Sequence, residues 1–397
     1  MTLNRKRWLV IVAGIIGNAC CGAGYAFSVF KKPLIAVLNC TDPQATLAFS
    51  LSVVFLPLGM LLSGAIAKKC GPRLVIAVGG VIFGLGMFLA GFSSSLIWLY
   101  MTFGLMVSLG QGMSYGTIIA TAVRWFPDRK GFASGLVVSA LGVGTMIIAP
   151  LARTLITSVG VLDTLRILGA AIVIIISTTS IFITDPPKGF ASDVTQSPLS
   201  EQDNDVSWRK MLARPLFWML FVLYVLGAFT GLMIISQASD IAQKMTGLTA
   251  IAASFVVGML GAANSAGRLF WGGISDRIGR YTALAAMFGI TAVVMLLLPS
   301  LALYKPGLIV AYLLIGLCYG GCLGTFPSIC ADSFGTKDVA INYALLFVAF
   351  GVAGVTGPRI GAVLLERTGA YTTAFALTVA VAVVGMLLSI GLKLRRA

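Results

Sequence analysis

The sequence predicts an all-α integral membrane protein of twelve transmembrane helices, arranged as two six-helix pseudo-symmetric halves. Three observations predict it. Of the 397 residues, 58% are hydrophobic and only 10% are charged, and the mean hydropathy of +0.99 lies far above that of a soluble domain. Twelve apolar runs reach the roughly 20 residues that a helix needs to cross hydrocarbon. A shift of 208 residues then lays one half of the chain on the other in two separate loops.

Taken in order, the first run, 7–30, follows MTLNRKRW; without an Ala-x-Ala-like cleavage site it reads as a retained span rather than a signal peptide. Runs 44–67 and 74–92 flank the loop GAIAKKCGPR, residues 64–73. Run 96–122 holds the Gly-rich stretch LGQGMSYGTII with Gln111 and Tyr115, run 131–152 holds Leu141, and run 164–184 closes the first half. Residues 185–214 are rich in Pro, Ser, Asp and Gln and read as a cytoplasmic linker. The expected domains are therefore 1–185, the linker 186–214, and 215–397. The second half supplies runs 215–239, 249–275, 281–300, 306–330, 340–362 and 370–393, with Tyr319 in GLCYGGCLGTF of the tenth and Phe347 in the eleventh.

The shift of 208 puts GAIAKKCGPR on GGISDRIGRY, matching Gly64 with Gly272, Ile66 with Ile274 and Gly71 with Gly279. It also puts GTIIATAVRWFPDRK on GTFPSICADSFGTKD, matching Gly116-Thr117, Phe126 with Phe334, and Arg129 with Lys337. One offset in two loops implies two parallel six-helix repeats about an axis along the membrane normal, with the substrate site near the midplane.

The net charge of +15 does not indicate nucleic acid, because the Lys and Arg lie in short clusters between spans. Nineteen of the 28 fall at the N-terminus, at the C-terminus and in the loops after even-numbered spans, eight fall on the other side, and Arg268 stands between. This positive-inside bias predicts a multi-pass protein of the plasma (inner) membrane with both termini cytoplasmic. The seven cysteines form no CxxC pair and read as small packing residues. No nucleotide-binding motif, metal-ligand cluster or nucleophile–base set occurs in a span, so no cofactor, metal or enzyme activity is expected.

Arg268 is the residue that composition does not explain. It lies eight residues inside the cluster Asp276-Arg277-Ile278-Gly279-Arg280, about 12 Å along a helix and beyond comfortable snorkelling reach. A mid-span arginine costs about 2.5–3.5 kcal/mol on insertion scales and calls for a partner or a cavity. Asn264, four residues earlier, shares its helix face. The shift of 208 places Leu56 and Met60 opposite this pair, so the polar pair breaks the internal symmetry that the loops obey. All 13 acids fall in loops or near span ends and there is no histidine, which leaves one formal positive charge at the centre. A guanidinium holds a carboxylate through two parallel hydrogen bonds, and one charge balances one carboxylate.

The pattern Gly-x-x-x-Asp-Arg-x-Gly-Arg at 272–280, repeated more weakly at 64–73, resembles the loop signature of the major facilitator superfamily. RWFPDRKGFASGL (124–136) and GRLFWGGISDRIGR (267–280) resemble, within it, the monocarboxylate transporters and the bacterial oxalate/formate antiporters. The resemblance implies the major facilitator fold. It implies a pocket in which Arg268 and Asn264 meet the substrate, Tyr115 and Tyr319 offer hydroxyls, and Phe347 and Leu141 form an apolar wall. Asp276, Arg277 and Arg280 are expected to act in gating at the cytoplasmic face. The departures are specific. Lys68 stands where the family pattern usually has aspartate, Asn264 where the animal monocarboxylate transporters have aspartate, Val29 where they have lysine, and Phe350 where the oxalate transporter has a second cation. The expected activity is proton-coupled symport of a lactate-like or pyruvate-like monocarboxylate. Carboxylate exchange of the oxalate/formate type and a transporter-like ligand sensor are the alternatives.

Overall fold

A computed structural model describes residues 3–187, 190 and 205–395. Most of the expected linker, residues 188, 189 and 191–204, lies outside the described residues. The described chain is a series of helices, because within hydrocarbon only a helix or a closed barrel satisfies every main-chain N–H and C=O.

The first span is α1 (Leu3–Tyr25) continued by α2 (Phe27–Leu38). Spans two and three form α3 (Asp42–Ala90), and the fourth runs through α4 (Leu96–Leu99), a π-helical segment (Tyr100–Val107) and α5 (Ser108–Trp125). Helices α6 (Lys130–Val159) and α7 (Val161–Ser180) complete the first half. After the short α8 (Trp208–Leu212) come α9 (Pro215–Thr246), α10 (Ala250–Ile278), α11 (Arg280–Leu301), α12 (Lys305–Phe334), α13 (Val339–Thr368) and α14 (Thr372–Leu394). Ten stretches among the described residues are long and apolar enough to cross a bilayer. One of them, Gln44–Ala90, has 47 residues, or about 70 Å of helix against a hydrocarbon core of roughly 30 Å. It turns at Gly71, where φ is 76°, and so makes two crossings. With α10 the crossings number twelve.

Each span falls where the hydrophobic runs put it, and most helices run a few residues further at one or both ends. Apolar runs report only the hydrocarbon part, whereas the helices continue into the headgroup region. The π-helical segment has no counterpart in the sequence reading.

The internal repeat is visible in how the helices start and stop. Thr41 caps α3 in a capping box with Gln44, whose side chain accepts from the Thr41 N–H at 2.9 Å. Thr249, 208 residues on, caps α10 by accepting from the Ala252 N–H at 3.3 Å. The left-handed stops recur as well: Asn39 with Gly247, Gly71 with Gly279, and Gly160 with Gly369. The offsets are 208, 208 and 209. At Gly71 and Gly279 the positive φ admits glycine without the Cβ clash another residue would meet.

By internal packing the chain forms two compact units. Unit 1 comprises Met1–Lys130, Ala140–Trp208 and Cys330–Leu345; unit 2 comprises Gly131–Ser139, Arg209–Ile329 and Leu346–Ala397. Each therefore takes one short segment from the other half of the sequence. In unit 1, α3 and α5 meet through small residues: a Cβ at Gly112 would come 2.2 Å from the Leu56 carbonyl oxygen, and one at Gly59 would come 2.2 Å from that of Leu109. In unit 2, α10 and α12 meet in the same register, Gly320 against Asn264 and Gly267 against Leu317.

Candidate functional site

The site is built on α10, which is held on two sides in unit 2. Along α12, Gly316, Gly320 and Gly324 face Leu260, Asn264 and Arg268; a Cβ at Gly320 would lie only 1.8 Å from the Asn264 carbonyl oxygen. On the other side, Gly135 of α6 lies against the carbonyl of Arg268, and Gly131 against that of Gly272. Glycines four apart let three helix backbones close on the turn that carries Arg268.

Arg268 is 7% exposed. Its Nε donates to Asn264 Oδ1 at 3.2 Å and its Nη1 donates to the carbonyl oxygen of Val138, on α6, at 2.8 Å. Both acceptors are neutral, and among the described residues Arg268 makes no ion pair. Asn264 is also buried, and its Nδ2 has no hydrogen-bond partner. The polar face thus presents a fixed cation with an amide donor beside it, in surroundings that supply no negative charge. Their repeat mates in unit 1, Leu56 and Met60, are buried on Gly112 and Gly116 in the same way. The register of the helix contact is common to both halves, although Gly116 meets the side chain of Met60 where Gly324 meets the main chain of Arg268.

Tyr319 and Phe347 belong to the same unit as Arg268. The Tyr319 ring lies on Gly231 of α9, where a Cβ would come 2.1 Å from it. Phe347 is stacked on Phe350 with centroids 5.1 Å apart and meets Tyr224 edge-on at 6.1 Å, while Tyr224 stacks on Phe326 at 4.1 Å. Three rings therefore brace Phe347, those of Phe350 and Tyr224 directly and that of Phe326 through Tyr224, from α13, α9 and α12. Tyr115 and Leu141, both buried, belong to unit 1. Leu141 directs its carbonyl at Gly22 of α1, and Gln111 donates to the Cys21 carbonyl at 3.0 Å.

Of the loop residues, Asp276 accepts from the main-chain N–H groups of Gly131 and Phe132 at 2.9 and 2.8 Å, the first turn of α6. A carboxylate at a helix N-terminus satisfies open donors and the helix dipole together. Arg280 pairs with Asp276 at 2.7 Å and donates to Ser275 at 2.5 Å. Arg277 is exposed and makes no hydrogen bond or ion pair among the described residues. Sequence reasoning missed three features: the Val138 carbonyl, the ring of Tyr224, and the partner of Lys68, which is Asp338 at 2.6 Å. The Gly131 and Gly135 spacing within KGFASGL was the one available signal for the close approach of α6.

Comparison with known proteins agrees with this architecture. Residues 12–358 match the Major Facilitator Superfamily. The chain is 30% identical to the oxalate:formate antiporter of Oxalobacter formigenes over 375 residues, which cover 94% of this chain and 88% of that one. It is 28% identical to monocarboxylate transporter 12 of Xenopus laevis, over 81% of this chain and 73% of that one. The crystal structure of the transporter FucP in the outward conformation has the same fold, with a TM-score of 0.73 and 14% identity over 96% of this chain and 97% of that one.

Proposed function

Because the chain belongs to the major facilitator superfamily, we propose that it is a secondary active transporter that moves a lactate-like or pyruvate-like monocarboxylate together with a proton, by alternating access. One observation carries this reading: Arg268 is a buried cation whose partners are the neutral oxygens of Asn264 and Val138. A buried charge without a counter-charge is costly, and a carboxylate supplies what is missing. One guanidinium balances one carboxylate, and Phe350, at the position of the oxalate transporter's second cation, is an apolar ring stacked on Phe347.

The geometry suggests how binding is coupled to movement. The carboxylate exchanges for the Val138 carbonyl at Arg268 Nη1, which loosens the tie between α10 and the first turns of α6. Neutralising the charge then lowers the barrier to closing around the substrate. Asp276 of α10, bonded to the first turn of α6, and Arg280 of α11 beside it form the cytoplasmic gate in this scheme. Tyr319 and Phe347 set hydroxyl recognition and substrate size in unit 2, and Tyr115 and Leu141 carry the corresponding roles by resemblance. With no buried acid or histidine among the described residues of the spans, the proton travels on the substrate or on a hydroxyl near Arg268. The bias of Lys and Arg supports the plasma (inner) membrane with both termini cytoplasmic.

Exchange is the second reading, favoured by the likeness to the oxalate:formate antiporter. Uptake into proteoliposomes separates the two. A symporter accumulates lactate in empty vesicles under an inward proton gradient, whereas uptake that requires an internal counter-anion establishes exchange and overturns symport. Oxalate should compete poorly with lactate if one cation serves one carboxylate.

A further inference from the structure

At the position where the second half has Asp276 the first half has Lys68, and the repeat explains why this is not a loss. Position 68 corresponds to 276 and position 130 to 338, so the two halves carry Lys68 with Lys130 and Asp276 with Asp338. In unit 2, Asp276 at the end of α10 caps the N–H groups of Gly131 and Phe132, directly after Lys130. In unit 1, Lys68 of α3 pairs at 2.6 Å with Asp338, directly before α13 begins at Val339. A glycine also lets the chains approach in both places: Gly272 lies on Gly131, and Gly64 lies on Ala340 and Ile341.

The two junctions put opposite charges at the helix end. At the α10–α6 junction the acid comes from the helix end and meets the main-chain N–H groups of the helix start, with Arg280 beside it. At the α3–α13 junction the base comes from the helix end and the acid from the helix start. The surroundings fit the exchange. Asp276 has Arg280 beside it at 2.7 Å, whereas the repeat mate of Arg280 is Pro72, so an acid at 68 would face Asp338 with no arginine between them. Lys130, the remaining base, is held by Asp332 at 3.1 Å.

We propose that Lys68 and Asp338 form a charge-inverted second latch, which holds the end of α3 to the start of α13 in one of the two end states of the transport cycle. Lys68 stands where the second half has an acid and Asp338 where the first half has a base, and the two pair with each other. The inference rests on the alternating-access reading for its role in transport, but its structural test needs no substrate.

The test is a charge swap in the full chain, with Lys68→Asp, Asp338→Lys and the double variant K68D/D338K. Spin labels on the exposed native Cys70 and on a cysteine at the exposed Lys337, in a Cys40→Ser background, report the separation of the two helix ends. Each single variant should raise the population of the longer distance at least threefold and cut initial lactate uptake to a third or less. The double variant should return both to within twofold of the parent. Singles that leave the distance distribution unchanged, or a double variant no closer to the parent than the worse single, overturn the latch. Restored distances without any lactate uptake, in the parent as in the variants, would instead reject the carboxylate reading and leave the latch standing. Should a single variant fail to give monodisperse protein, the neutral pair Lys68→Met and Asp338→Asn supplies the comparison. A double neutral variant opening no further than either neutral single supports the latch, and additive opening overturns it.

Discussion

At the scale of the residue, the Arg268 guanidinium is bonded to an amide oxygen and a main-chain carbonyl, neither of which carries a charge to balance it, and the proposed anion site is tested there first. Two charge-assisted hydrogen bonds contribute roughly 1.5 kcal/mol each or more, so Arg268→Ala should weaken lactate binding by about 100-fold. Arg268→Lys should fall between, because an ammonium keeps the charge and loses the planar fork. Calorimetric titration in detergent measures both, and near-parental affinity in Arg268→Ala would remove this residue from the site. Asn264→Leu reproduces the residue at the repeat mate, Leu56. It should leave the helix contact intact, since Gly320 meets the main chain, while binding weakens about tenfold through loss of the Nε acceptor. An Asn264→Leu protein that binds as the parent does would show that the amide orients nothing. Arg268 and Asn264 were legible in the sequence because a charge in a membrane span has few innocent explanations. Val138 was not legible, because every residue has a carbonyl and no side-chain type announces which one will be used.

At the scale of the element, the close approach of α10 and α12 is a property of glycine spacing rather than of the polar residues they carry. The same register holds in unit 1 with Leu56 and Met60 on Gly112 and Gly116, and this separates scaffold from chemistry. Gly320→Ala places a Cβ 1.8 Å from the Asn264 carbonyl oxygen and should cost about 1–3 kcal/mol by overpacking. Gly258→Ala, on the same helix as Arg268 with nothing within 4 Å, is the matched control. Thermal unfolding in detergent should show a lower Tm for the first and an unchanged or higher one for the second. Equal Tm values for the two would mean that α12 can simply move away. The twelve spans were legible as elements because hydrocarbon imposes a length and an apolar composition. The π-helical segment from Tyr100 to Val107 was not, since it changes hydrogen-bond register without changing hydrophobicity.

At the scale of the whole molecule, caps and stops that recur at offsets of 208 or 209 show that the repeat read from two loops extends along the chain. The topology was legible for that reason: matching loops in the two halves fix the matching order of the helices between them. The short segments that each unit takes from the other half were not legible, because periodicity says nothing of which neighbour a helix end will choose. Helix α6 makes the consequence plain, since Gly131–Ser139 packs within unit 2 while the chain from Ala140 onward packs within unit 1. A continuous hydrogen-bonded helix cannot melt in one part and remain ordered in the next without fraying its own ladder. The order of the first turns of α6 is therefore tied to the order of the rest of the same helix. Heating or pulling the protein should produce one cooperative transition in calorimetry or force spectroscopy, and two well-separated transitions would show that α6 gives way in parts.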